Sequence, residues 1–156
     1  MSLWSEIEKL FHLDRVEWDE PEAKITDNFT VKEALWLPTW NRVANHDDGL
    51  TDGAKKNLIT LFKKIEVVRS YLSDSPIIVL NAFRPSEYNY LIGGADNSTH
   101  MYGMAVDWYI AGVDCNELRN QLVPMLDEWD MRCEDKIGNW IHLDTGDYRY
   151  SRFFKP

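Results

Sequence analysis

The sequence predicts an α+β domain in which helices pack on a small antiparallel sheet. Three observations carry that prediction. An amphipathic helix pattern runs from Thr51 to about Leu72, short apolar strand-like runs follow it, and one further helix pattern lies between those runs. With 156 residues, 44% of them apolar, and seven tryptophans, the chain can bury a core of its own.

The elements follow in order. Leu3, Trp4, Ile7, Leu10 and Phe11 fall on one helical face and are read as an N-terminal helix. The acidic, proline-containing stretch DEPEAKITDN is an irregular connection, so residues 1–28 are assigned as helix plus connection and 29–156 as the main domain. TVKEALW opens with Thr30 and carries Glu33 three residues later, which predicts a capping box and a short helix. NHDDGLTDG is a polar turn without the alternation or the distal glutamate of an EF-hand loop.

Leu58, Leu61, Phe62, Ile65, Val68 and Leu72 form the buried stripe of the long helix. PIIVLNA reads as a short buried strand and AVDWYIAG as a second strand ending at a glycine. Asp114 is placed to cap a helix through Trp129, with Pro124 kinking it. MRCED and NWIHLD then form a closing β-hairpin.

Charge and cysteine usage exclude several classes. A formal charge of −9 without clustered Lys and Arg disfavours nucleic acid as a partner. Lys55-Lys56 and Lys63-Lys64 are read as the solvated face of the long helix. No apolar run reaches the length of a membrane span. MSLWSEIEKLF has acids where a signal peptide has a basic region, so the chain is expected to be made in the cytoplasm without a signal peptide. Cys115 and Cys133 lack CxxC spacing and are expected to be buried free thiols.

Four histidines are available. His12 at a helix end and His46 in a polar turn are read as structural or solvated. His100 precedes a glycine turn and the strand carrying Asp107, and His142 lies in the apolar strand NWIHLD. An aspartate in an apolar strand is costly to bury without a cation or donors. Two imidazoles and one carboxylate make a three-ligand zinc set with the fourth position open for water, the catalytic arrangement. The rival reading is a histidine hydrogen-bonded to an aspartate in a core.

NAFRPSEYNYLIGGADNSTHMYGMAVDW followed by NWIHLD resembles the zinc D-alanyl-D-alanine carboxypeptidase family. That family includes phage L-alanyl-D-glutamate endolysins and shares its fold with the Hedgehog signalling domain. The resemblance is carried by Ser98, His100, Gly103, Ala105, Asp107 and His142, and runs from about Phe29 to Asp144. It implies that His100, Asp107 and His142 bind Zn2+, that Arg84 holds or polarises substrate, and that Ser98 shapes the loop or bonds the substrate. Asp144, two residues beyond His142, is either an orienting partner for that ligand or an exposed strand-end acid.

One departure concerns the proton acceptor. Many relatives carry Glu or Asp three residues before the final histidine, where this chain has Asn139. An amide is no useful base. Glu134 and Asp135 just upstream are the substitutes, Glu134 preferred.

The resemblance implies a zinc peptidase acting on peptidoglycan stem peptides, of carboxypeptidase or endopeptidase type, consistent with a phage or prophage gene. The alternative, motivated by Asn139, is a weakly active or inactive zinc-binding module that binds cell wall or forms part of a phage.

Overall fold

The computed structural model describes residues 16–136, 138–147 and 151–155. The expected N-terminal helix and His12 lie outside the described residues. The connection that follows packs on the domain: Ile25 is buried in the main core, with Val16, Trp18 and Ala23 against it.

Helix α1 (Val31–Leu35) starts as its sequence demands. Glu33 N–H donates to the Thr30 hydroxyl at 3.3 Å, and Thr30 N–H donates to the Glu33 carboxylate at 2.8 Å, completing the capping box. A two-stranded hairpin not anticipated from the sequence follows, β1 (Trp36–Leu37) with β2 (Arg42–Val43). Its turn passes through Asn41, whose φ of 51° is a left-handed conformation that asparagine tolerates.

Helix α2 (Asp52–Tyr71) is capped by the Thr51 hydroxyl and buries the expected Leu58, Leu61, Phe62, Ile65 and Val68, with Ala54 in addition, while the expected Leu72 is buried just past its end. Each such Leu, Ile or Phe contributes about 1.5–3 kcal/mol through burial.

The main sheet has five strands in the order β3-β4-β6-β5-β7. They are β3 (Ile78–Asn81), β4 (Ala105–Tyr109), β5 (Arg132–Glu134), β6 (Ile141–Asp144) and β7 (Phe153–Phe154). The first four pair antiparallel and include the expected β5–β6 hairpin. The α+β expectation holds, and β7 adds a parallel pairing with β5, so the sheet is mixed at one edge. One expectation needs correction: β3 is not a buried strand but the other edge, and Ile78 and Leu80 are exposed.

Helix α3 (Ser86–Leu91) follows β3. The helix expected between Asp114 and Trp129 forms in two pieces, α4 (Cys115–Leu122) and α5 (Leu126–Trp129), joined by a 3-10 turn holding Pro124. Proline has no N–H to donate and its ring crowds the preceding turn, so the helix divides there. Asp114 accepts from Asn116 and Glu117 N–H at 2.8 and 3.0 Å, the expected cap.

Strand alternation separates the two faces of the sheet. Val106, Trp108, Ile141, Leu143 and Cys133 are buried in one core together with the α2 stripe and Leu118 and Leu122 of α4. Ala105, Asp107, His142, Asp144, Arg132 and Glu134 occupy the alternate positions, and these carry the polar chemistry. Cys115 and Cys133 are buried free thiols as expected, and burial raises the Cys133 thiol to about 12.

Candidate metal centre

The register of β4 on β6 places Asp107 directly opposite His142. His100 reaches the same point from the 3-10 turn Thr99–Tyr102, which precedes β4. That turn closes at Gly103, with φ 69°. A Cβ there would lie 2.6 Å from the Ala54 carbonyl oxygen of α2, so only glycine lets the turn pack against the long helix. The glycine of this motif therefore serves a helix contact.

One atom of each of His100, Asp107 and His142 lies within 4.8 Å of the others, and together they could hold a metal ion. Asp107 Oδ1 is the focus, 3.2 Å from His100 Nε2 and 2.8 Å from His142 Nδ1. The opposite nitrogen of each ring already has an acceptor. His100 Nδ1 donates to the Ala82 carbonyl at 2.7 Å, and His142 Nε2 lies 3.0 Å from Asp144 Oδ2. Imidazole ligands of metals are held this way, with the outward nitrogen bound to a carbonyl or carboxylate. A plain core histidine–aspartate pair needs one imidazole, whereas here two converge on one oxygen. The residues therefore fit a metal, and two imidazoles with one carboxylate suit Zn2+.

Charge in the cluster follows from burial and partners. Burial favours neutral His100 and keeps its pKa low, with the Asp107 charge offsetting this in part. Burial also opposes ionisation of Asp107, but the two histidines outweigh it and hold the carboxyl well below the usual range. His142 goes the other way: hydrogen bonds to Asp107 and Asp144 overcome burial and raise it to about 9.

Arg84 stands beside the cluster. Its Nη2 donates to Asp107 Oδ2 at 2.5 Å, its Nε donates to Asn81 Oδ1, and its backbone N–H donates to the His100 carbonyl at 3.1 Å. Asn81 is a residue the sequence reading missed. It lies opposite Asp107 on β3, is buried, and is tied to the Trp36 carbonyl through Nδ2. The spacing of three from Arg84 across a strand end was its only signal. A guanidinium has five N–H donors, so two side-chain contacts leave others for a ligand carboxylate.

The β5–β6 register pairs Arg132 with Asp144 and Cys133 with Leu143, which sets Glu134 opposite His142 on the same face. Glu134 is half-buried, and its negative charge acts on Arg84. Asp135 is exposed, one residue beyond the strand. Asn139 is exposed and lines a cavity of about 410 Å³ with Tyr109, Gly112 and Asp114, at the far end of β4. Ser98 precedes the His100 turn and accepts from Met101 N–H through its carbonyl at 3.1 Å. His46 is exposed in a 3-10 turn.

Fold and donor set together define a metallopeptidase-type centre on the polar face of an α+β sheet. A family model described as Peptidase M15 matches residues 37–144, more than half of the chain, and the chain belongs to that family. A zinc D-Ala-D-Ala carboxypeptidase of Streptomyces albus G is similar: 41% identical over 54 residues, covering 35% of this chain and 21% of that protein. The chain thus aligns with about a fifth of the length of that curated relative. No helix among the described residues is long and apolar enough to cross a membrane.

Proposed function

We propose that this protein is a zinc-dependent peptidase that hydrolyses peptide bonds in peptidoglycan stem peptides, with His100, Asp107 and His142 as metal ligands. The observation that carries the reading is the convergence of one buried and one partly buried imidazole, His100 and His142, on one carboxylate oxygen, each ring braced from behind. The Peptidase M15 match and the name of the Streptomyces relative support the substrate class. The catalytic unit is 29–156, with residues 16–28 packed onto it through Ile25.

A zinc ion at this site supplies Lewis acidity that polarises a carbonyl and acidifies water. The chain supplies the rest. Glu134, on the same sheet face as His142, accepts the proton of the attacking water and returns it to the leaving amine. Arg84 offers its remaining donors to a peptide carboxylate or to the developing oxyanion, while Asn81 and Asp107 fix its plane. Ser98 lines the loop that presents His100. Asp135, more exposed, is the second candidate base.

Incubating the zinc-loaded protein with purified peptidoglycan or synthetic stem peptides is expected to release new amino termini. The His142→Ala variant is expected to lose this activity by at least ~10³-fold. Undiminished activity in that variant overturns the mechanism.

Asn139 favours a second reading, a zinc-binding wall module with little turnover, because the family resemblance implies a carboxylate there and this chain has an amide. That reading expects stoichiometric zinc without hydrolysis.

A further inference from the structure

His142 is held by more than the residues that meet it at the cluster. Its Nε2 faces Asp144, which is completely buried. Asp144 in turn is gripped on both oxygens. Arg132 Nε donates to Oδ1 at 2.6 Å and Arg132 Nη2 to Oδ2 at 3.0 Å, while Gly146 N–H donates to Oδ1 at 2.9 Å. A bidentate guanidinium fixes the plane of a carboxylate as well as its charge. A Cβ at Gly146 would lie 2.8 Å from Arg132 Nη2, so a side chain there would push on this guanidinium.

Arg132 is fixed in its own right. Nη1 donates to the Asp147 carbonyl at 2.9 Å, and the guanidinium lies over the Phe154 ring, 4.7 Å from its centroid. Phe154 then meets the His142 ring edge-on, at 6.3 Å and 83°. The chain of contacts closes on itself: His142, Asp144, Arg132, Phe154 and back to His142. Phe154 is on β7, beyond the residues of the family match, and is placed there by its parallel pairing with Glu134.

An ion pair that merely tied β5 to β6 would need only Arg132 and Asp144. It would not need the carboxylate to meet an imidazole nitrogen, nor the guanidinium to be capped by a ring that also covers that imidazole. We infer that Asp144, Arg132 and Phe154 are positioning residues for His142: together they hold its ring with Nε2 protonated toward Asp144 and Nδ1 turned into the cluster. Metal affinity then depends on the C-terminal strand. This inference rests on the reading of His142 as a metal ligand. Loss of an outer hydrogen-bond partner of this kind weakens metal binding by about 10–100-fold.

The test is zinc affinity by competition with a chromogenic chelator, on wild type, Asp144→Asn, Arg132→Lys and Phe154→Ala, each checked for folding by circular dichroism. Imidazole 15N spectra of the zinc-loaded proteins report the His142 tautomer. Wild type is expected to take one zinc with Nε2 protonated. Asp144→Asn is expected to keep that stoichiometry with a Kd raised about 10–100-fold. Phe154→Ala is expected to raise it less, and Arg132→Lys to fall between wild type and Asp144→Asn. Should Asp144→Asn fail to fold, Phe154→Ala and Arg132→Lys carry the test, because both keep the carboxylate. Zinc bound by wild type with unchanged Kd and tautomer in the folded variants overturns the positioning role alone. Wild type that takes no zinc overturns the metal reading and this inference with it.

Discussion

His142 lies between two carboxylates, and that position governs its proton. Burial opposes the charged ring, but Asp107 and Asp144 raise it to about 9 from the ordinary 6.5. A group raised in this way stabilises the folded protein below pH 6.5, and that contribution fades as pH rises through about 9. A metal needs the Nδ1 lone pair and therefore displaces a proton. Zinc binding at pH 7 is expected to release about one proton, and apparent affinity to climb up to about pH 9. Calorimetry in buffers of different ionisation enthalpy measures this, and a proton count of zero contradicts it. Glu134 is expected to matter differently: Glu134→Gln keeps zinc but lowers kcat by about 10²–10⁴-fold, read from initial rates. Equal rates would move the base elsewhere, with Asp135 next.

The His100, Asp107 and His142 cluster was legible because an aspartate and a histidine in apolar strands demand partners, and because the motif that carries all three resembles a known family. The places of Asn81, Arg132 and Phe154 beside the cluster were not legible. Each has an ordinary strand-end identity, and it reaches the cluster only once the register brings remote segments together.

Among the elements, the 3-10 turn that delivers His100 is the most constrained. Its Gly103 combines a left-handed φ with a close approach to α2. Gly103→Ala is expected to destabilise the protein by at least ~2 kcal/mol, seen as a lower denaturation midpoint. A variant as stable as wild type would show that the turn does not need this contact. Helix starts were readable where capping chemistry is local, as at Thr30, Thr51 and Asp114. The division of the helix at Pro124 was visible as a kink. The β1–β2 hairpin and β7 escaped because two-residue strands leave no periodicity to read.

At the scale of the molecule, the sheet is the device that joins stability to chemistry. One face supplies the core, which runs from Ile25 to Leu143, and the other aligns Asn81, Asp107, His142 and Glu134 in one row across four strands. The α+β class followed from the order of helix and strand patterns. The mixed edge did not, because parallel pairing of a short terminal strand depends on where the chain returns. A crystal of the zinc-soaked protein measured at the zinc absorption edge tests the central claim most directly. We expect one anomalous peak, bounded by His100 Nε2, Asp107 Oδ1 and His142 Nδ1. A map with no peak there, or with its zinc at other residues, would contradict it.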